Sequence, residues 1–370
     1  MKNCWIDGRN RVSITNQNQQ EIREPLFHTG VKRRLGQAAR WLKYRVASRA
    51  LILMYHRVTD LPNDPYLLAV KPKHFAEQME VIRRHCIPMR LQDLVDALHG
   101  GKVPNRAIVV TFDDGYADNL DYAKPLLERY EIPATVFVTA GHLATRREFW
   151  WDVMDRALLQ PGTLPARLRL TINRTAYEWE LGGEIPYTVE NYQRDRDWHI
   201  ERPDDPTPRH RLFRVLYAAM AGLPAGERQN VVDDLLSWAG AEPSARPTHR
   251  TLTADELVLL HEGGLLEIGA HTMTHPLLAT LPAEDQRAEI QGSKTVLEGI
   301  LKHSVTSFAF PHGSSSPETD AIVRKDFVCA CSSIADAVWR DANCFQLPRL
   351  GVRDWDEETF ARWLTWWMDG

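Results

Sequence analysis

The sequence predicts an α/β fold built on parallel strands, and three observations carry that prediction. From residue 51 onward, short apolar runs alternate with stretches of helical periodicity. Two of the runs, AIVVTF (107–112) and ATVFVTA (134–140), are near-continuous and rich in β-branched residues, as strands covered on both faces require. The length, 370 residues, exceeds a minimal domain of ~100–200 residues and suits one large α/β barrel carrying insertions, or two ordinary domains. Regular strand–helix–strand order implies right-handed crossovers.

In chain order, residues 1–30 are polar, rich in Asn and Gln and without periodicity, which predicts a mobile arm. Residues 31–50 hold seven Lys or Arg and no acid, with Leu35, Ala39, Leu42 and Val46 at helical spacing. They predict a basic amphipathic helix, packed on the domain or resting as a peripheral contact on an anionic membrane. LILMY (51–55) reads as a buried strand, and Phe75, Met79 and Ile82 mark a helix. LQDLVDALHGG ends on Gly100 and Gly101 as a helix C-terminus should. After the strand at 107–112 come a helix containing Leu126 and Leu127 and the strand at 134–140. Residues 142–250, rich in Pro, Arg and Asp, predict an inserted lid or subdomain with helices at 209–222 and 225–239. Alternation then resumes: helix 253–262, strand 265–270, helix 283–301, strand 304–310, helix 316–325, strand 327–333 and a last helix at 356–368. Phe360, Trp363, Leu364 and Trp367 give that last helix a core-facing stripe. The domain reading is therefore an arm and basic helix at 1–50, a barrel at 51–355 interrupted at about 142–250, and a C-terminal helix at 356–370.

Composition narrows the functional classes. Hydrophobic content of 44% and charged content of 25% exclude disorder, collagen and coiled coil as the main state. A net charge of −4 argues against general nucleic-acid binding, which needs a basic excess. Five cysteines are too few, and odd in number, for a disulfide scaffold, and Cys329 and Cys331 alternate along an apolar run as core residues do. No run reaches the ~20 apolar residues of a membrane span, and the opening residues lack the apolar stretch of a secretory signal. The expected location is the cytoplasm, with membrane association through residues 31–50.

Three segments at strand ends carry polar groups that a core would not choose. The first is Thr111-Phe112-Asp113-Asp114-Gly115-Tyr116: adjacent carboxylates after an apolar strand are costly unless something positive neutralises them. Strand alternation sends their side chains opposite ways, so one suits a metal and the other a substrate or water. The second is His271-Thr272-Met273-Thr274-His275-Pro276, whose imidazoles one helical turn apart can close on one cation. Asp114, His271 and His275 then make three ligands that leave positions for water. The third is Phe308-Ala309-Phe310-Pro311-His312-Gly313, a turn able to aim backbone N–H groups at an oxyanion, or simply a turn.

TFDDGYADN and HTMTH, with MYHRV (54–58) and FAFPHG, resemble in order the motifs of the polysaccharide deacetylases, carbohydrate esterase family 4, also called the NodB homology domain. The likeness covers about 51–141 and 250–355, and MYHRV and FAFPHG resemble segments of one branch that includes deacetylases of poly-N-acetylglucosamine. It implies a distorted (β/α)7 barrel of the NodB homology type with a roughly 100-residue insertion, and hydrolysis of an acetyl group on a sugar. By position it implies Asp113 as catalytic base and Asp114, His271 and His275 as ligands of one divalent metal ion, usually zinc, in some members cobalt, nickel or iron. Acetate would leave an N-acetylated sugar or polysaccharide, with the metal and the His312 N–H holding the oxyanion.

Two departures from the family pattern matter. The third motif often has an Arg that steadies the catalytic Asp; here Ala309 and Phe310 stand there, and Arg349 is the candidate replacement from another strand. No His follows His312 to act as the family's late general acid, so His312, His56, a water or Arg349 must serve. His56 stays open between a core and a site role, and Trp150 and Trp151 between a sugar platform and packing. Two alternatives are a cyclic-amide hydrolase on the same barrel and a non-catalytic carbohydrate-binding relative. The setting implied is exopolysaccharide biosynthesis.

Overall fold

The computed structural model describes residues 49–145, 147–182, 185–242 and 244–369. The polar arm and nearly all of the basic helix expected at 31–50 lie outside these residues. Its last two positions correct that expectation: Arg49 and Ala50 open the first strand, paired with Trp339 and Val338. Ala50 is fully buried there, where a strand and not a surface helix satisfies the backbone.

The main sheet uses β1 (Arg49–Tyr55), β2 (Ile87–Pro88), β3 (Ala107–Phe112), β4 (Ala134–Val138), β5 (Leu266–Ala270), β6 (Ser307–Ala309), β7 (Cys329–Cys331), β8 (Val338–Trp339) and β9 (Leu350–Gly351). Its path runs β7-β6-β5-β4-β3-β1-β8, with β9 also on β1 and β2 on β3. Every pairing is parallel except β1 with β8. A further parallel bridge, Cys331 to Leu347, joins β7 to the segment leading into β9, which itself lies on β1. The sheet thus curls back on itself through β1, β3, β4, β5, β6, β7 and β9. That is the distorted, seven-stranded parallel barrel expected from the motifs.

Alternation along the strands makes two cores. Leu51, Leu53, Tyr55, Ile108, Val110 and Phe112 face outward onto α1 (Pro72–His85), whose Phe75, Met79 and Ile82 pack against them. Ala50, Ile52, Ala107 and Val109 face inward with Phe137, Cys329, Cys331 and Leu347. Leu91, Leu94, Val95 and Leu98 of α2 (Leu91–His99) join this inner cluster. Burial on both faces is why the strands read as unbroken apolar runs. The long helices α3 (Ala283–Leu301) and α4 (Glu357–Asp369) fall where periodicity put them, and Phe360 and Leu364 of α4 are buried. The strands expected at 304–310 and 327–333 are shorter, three residues each.

Residues 149–236 build a hydrophobic cluster of their own, joined by Tyr116. The two expected helices are present as α5 (Pro208–Met220) and α6 (Ala225–Ala239). Sequence reading missed two antiparallel strand pairs there, Gly162–Leu164 with Ile185–Tyr187 and Arg167–Ile172 with Thr175–Glu180. RLRLTI alternates exposed and buried residues along its length, and Asn173 and Arg174 turn the hairpin with φ of 51° and 62°. Among the described residues no helix is long and apolar enough to cross a membrane.

Candidate active site

The inward parity of Ala107 and Val109 continues through Thr111 to Asp113, so the Asp113 carboxylate lies at the top of the barrel interior. Its N–H donates to Tyr55 O at 3.0 Å. Asp113 is 3% exposed and would be a costly isolated charge. The neutralising group is Arg349, fully buried, whose Nη1 and Nη2 donate to the two Asp113 oxygens at 2.6 and 2.7 Å. Arg349 is itself fixed: Nε donates to Ser332 O at 3.0 Å, Nη1 also reaches Thr111 Oγ1 at 3.3 Å, and the guanidinium lies 5.5 Å over the Phe137 ring. Gly269 makes room for that ring; a Cβ there would sit 2.3 Å from Phe137. Burial alone would raise the Asp113 pKa, but the Arg349 charge, then His271, hold it below the usual carboxylate value. The sequence named Arg349 as the replacement cation, and the fold puts it in a two-pronged ion pair.

Asp114 should point away from Asp113 by strand alternation, but the chain leaves the extended conformation here, with φ of 76°. Its Oδ1 stands 3.3 Å from His275 Nε2 and 3.6 Å from His271 Nε2. Candidate ligand atoms of the three residues all lie within 4.8 Å of one another, and all three residues are buried. Asp114 Oδ1 takes no hydrogen bond among the described residues. A buried carboxylate oxygen left unpaired between two imidazole nitrogens is a donor set arranged for a cation, and separations of this size suit metal–ligand bonds of roughly 2.0–2.2 Å. Burial would raise the Asp114 pKa, yet His275, then His56 and His271, lower it. Burial pushes His271 down to about 4, so its ring is neutral near pH 7 and keeps a free lone pair. Its Nδ1 pairs with Ala309 O at 2.8 Å, which leaves Nε2 for the site.

The histidine loop is held by residues that the motif did not reveal. Glu289 on α3 accepts from the N–H groups of Met273 and Thr274, both at 2.8 Å, and from Thr274 Oγ1 at 2.6 Å. Thr272 Oγ1 accepts from His275 N at 3.0 Å. Left-handed φ values at Thr272 (65°), His275 (56°) and His312 (55°) join that of Asp114 around one point. Such strain persists only where the surroundings impose it, and it gathers at functional sites. Glu289 sits on an amphipathic helix that gave no signal; only the need of a sharp loop for acceptors would have suggested it.

The remaining sequence candidates divide. His312 is exposed at the rim, its ring 4.5 Å from that of His275, and the preceding Pro311 is buried. His56 is half-buried and lies close enough to both carboxylates to lower the pKa of each, which favours a site role over a core one. Trp150, offered as a sugar platform, is 7% exposed, with its ring stacked on Tyr217 at 5.2 Å. That ring is packing, and the stacking role is corrected accordingly. Trp151 packs 4.9 Å from the His275 ring and donates to Tyr116 Oη at 2.8 Å, walling the triad.

A family model described as polysaccharide deacetylase matches residues 100–162 and 237–326. Residues 163–236, most of the second cluster, are left unmatched. Among curated proteins, the poly-beta-1,6-N-acetyl-D-glucosamine N-deacetylase of Staphylococcus aureus is 32% identical over 132 residues, 32% of this chain and 45% of that protein. The enzyme of the same name from Staphylococcus epidermidis is 32% identical over 117 residues, 28% of this chain and 40% of its own. The chain therefore matches under half the length of these relatives. Among solved structures, a Streptococcus pyogenes deacetylase in complex with acetate superposes with a TM-score of 0.54 at 15% identity, over 86% of this chain and 98% of that one. IcaB from Ammonifex degensii gives 0.53 at 17% identity, over 87% and 98%. These two likenesses speak for the fold. Motifs, family model and relatives converge on a likeness to the polysaccharide deacetylases.

Proposed function

We propose that this chain is a metal-dependent hydrolase that removes acetyl groups from an N-acetylated sugar or polysaccharide. The observation that carries the reading is the meeting, at one end of the barrel, of the Asp114–His271–His275 triad with a separate carboxylate gripped by Arg349. A divalent cation held by the triad, which we assign as zinc from its two imidazoles and one carboxylate, would polarise the acetyl carbonyl and bring the pKa of water to about 7. The staphylococcal relatives are named for N-deacetylation of poly-beta-1,6-N-acetyl-D-glucosamine, which supports a polymer of acetylated glucosamine as substrate.

Asp113 is the proton acceptor in this scheme. Arg349 occupies one lone pair on each carboxylate oxygen and leaves others for the attacking water. The depressed pKa keeps Asp113 ionised at neutral pH, and the two-pronged grip fixes its direction. The His312 N–H, turned by its left-handed backbone, is our assignment for a donor to the developing oxyanion. Arg349 is committed to Asp113 and so is a poor general acid; His56, beside both carboxylates, is our assignment for protonating the departing amine. The buried Arg349 paired with Asp113 supports a motif-three role for it and weighs against the non-catalytic reading.

Acetate release from N-acetylglucosamine oligomers, measured with metal content, tests the scheme. Asp113→Asn is expected to lower turnover by about 10²–10⁴-fold with metal still bound. His275→Ala is expected to lose both metal and turnover. Full activity in either variant refutes the assignment.

A further inference from the structure

Beside the triad lies a second cavity of about 440 Å³, within the size range of small-ligand sites. Its walls come from residues 141–145 and 147–156, from α6, from Ser244 and Ala245, and from Met273 and Thr274 of the histidine loop. Buried hydrogen-bonding capacity with no partner gathers here. Arg228 of α6 is 4% exposed; its Nη2 donates to Thr274 O at 2.7 Å, while Nη1 has no acceptor among the described residues. Trp150 Nε1 and His142 Nδ1, on the same walls, are likewise without a hydrogen-bond partner among the described residues; Arg156 Nε has none either, but stands 3.7 Å from Glu148 Oε1. Leaving a buried donor unsatisfied costs about 1–3 kcal/mol, and more for a charged one, so several on one cavity call for a ligand rich in acceptors.

Charge sharpens the class of that ligand. Of the two acids of the wall, Glu148 pairs with Arg246 at 3.0 Å and stands 3.7 Å from Arg156 Nε, while the exposed Asp233 accepts from the neutral Gln229 amide at 2.8 Å. Arg147, exposed at the same cavity, has no ion pair among the described residues. Burial lowers the Arg228 pKa only to about 10, so it stays charged near neutrality. With Arg147, Arg156 and Arg228 against Glu148 and Asp233, the wall carries a net positive charge. Trp150, its ring packed on Tyr217 and with the Arg228 guanidinium 5.6 Å away, contributes a donor here and not a stacking face. The His142 ring stacks 4.3 Å from that of Phe149, which itself lies 6.2 Å from the His275 ring, so the cavity borders the triad.

We propose that this cavity is an anion-reading subsite that takes a phosphate or carboxylate carried by the saccharide whose acetyl group faces the triad, with Arg228 as its principal ligand. The placement relative to an acetyl group rests on the deacetylase reading; the binding of an anion does not. Calorimetric titration of the full chain with inorganic phosphate and with glucuronate, and with uncharged N-acetylglucosamine as control, tests it. Saturable binding of phosphate or glucuronate is expected, and which of the two binds more tightly identifies the group. Arg228→Gln should weaken that binding by at least about tenfold, Arg147→Gln several-fold, and His271→Ala not at all. Because Arg147 is exposed, its variant carries the test should Arg228→Gln fail to fold. Absence of anion binding, loss of it in His271→Ala but not in the arginine variants, or equal and equally Arg228-dependent binding of N-acetylglucosamine overturns the proposal. Anion binding that survives alongside a failure to release acetate from any acetylated oligomer would sink the deacetylase reading and leave the subsite standing.

Discussion

Asp113 and Arg349 illustrate how one buried pair ties stability to chemistry. Each is a charge that the barrel interior tolerates only because of the other, so removing one partner leaves the other stranded. Arg349→Met is expected to destabilise the fold by about 3–5 kcal/mol, read from denaturant midpoints, and to depress acetate release along with it. Arg349→Lys keeps the charge but loses the two-pronged geometry, so its turnover should fall further than its stability. The motif sequence singled out Asp113, Asp114, His271 and His275 as candidates without help from coordinates, because carboxylates and histidines at strand ends, in the order of the resemblance they carry, stand out. Arg349 was legible only as a missing charge to be supplied from elsewhere.

At the scale of elements, strand parity and loop clamps decide where those groups point. Gly269 on β5 lets the Phe137 ring of β4 pass beneath Arg349, and Gly269→Ala should overpack that contact at a cost of about 1–3 kcal/mol in thermal or chemical unfolding. Glu289 holds the histidine loop through two N–H groups and one hydroxyl. Glu289→Gln keeps the shape but loses the charge and one acceptor, and metal affinity measured by competitive chelation should weaken by about 10–100-fold. Neither residue announces itself in one dimension, since a Gly in a strand and a Glu on a helix have many commoner explanations. The hairpin at Arg167–Glu180 was missed for a different reason. Its alternation was present in the sequence but sat inside a Pro- and Arg-rich stretch that reads as loop.

Over the whole molecule, buried histidines set the response to pH. His271 and His142 are pushed down to about 4 by burial from an ordinary value of 6.5. Between those limits the unfolded chain binds protons that the folded chain refuses, so stability rises with pH across this window and is lost as pH falls from 6.5 toward 4. Asp113 and Asp114, depressed below the usual carboxylate value, extend the loss to lower pH still. Burial pushes Asp152 the opposite way, up to about 7, and offsets part of this loss. With His210 and His249 also pushed down, to about 4 and about 2, urea midpoints of metal-free protein should still decline from pH 7 to 4, and a rising profile would contradict the burial of these rings. The amino-acid order alone pointed to the parallel α/β class and most helix positions and, through the motifs and the resemblance they carry, to the candidate triad and base, because periodicity and strand-end motifs are local properties of the chain. Only the tertiary structure decided that the segment 347–351 closes the barrel and brings Arg349 onto Asp113, that Trp150 packs its ring and offers a donor, and that unpaired donors converge beside the triad. Those outcomes depend on which distant surfaces come into contact, and contact between distant surfaces is fixed by packing and electrostatics in three dimensions.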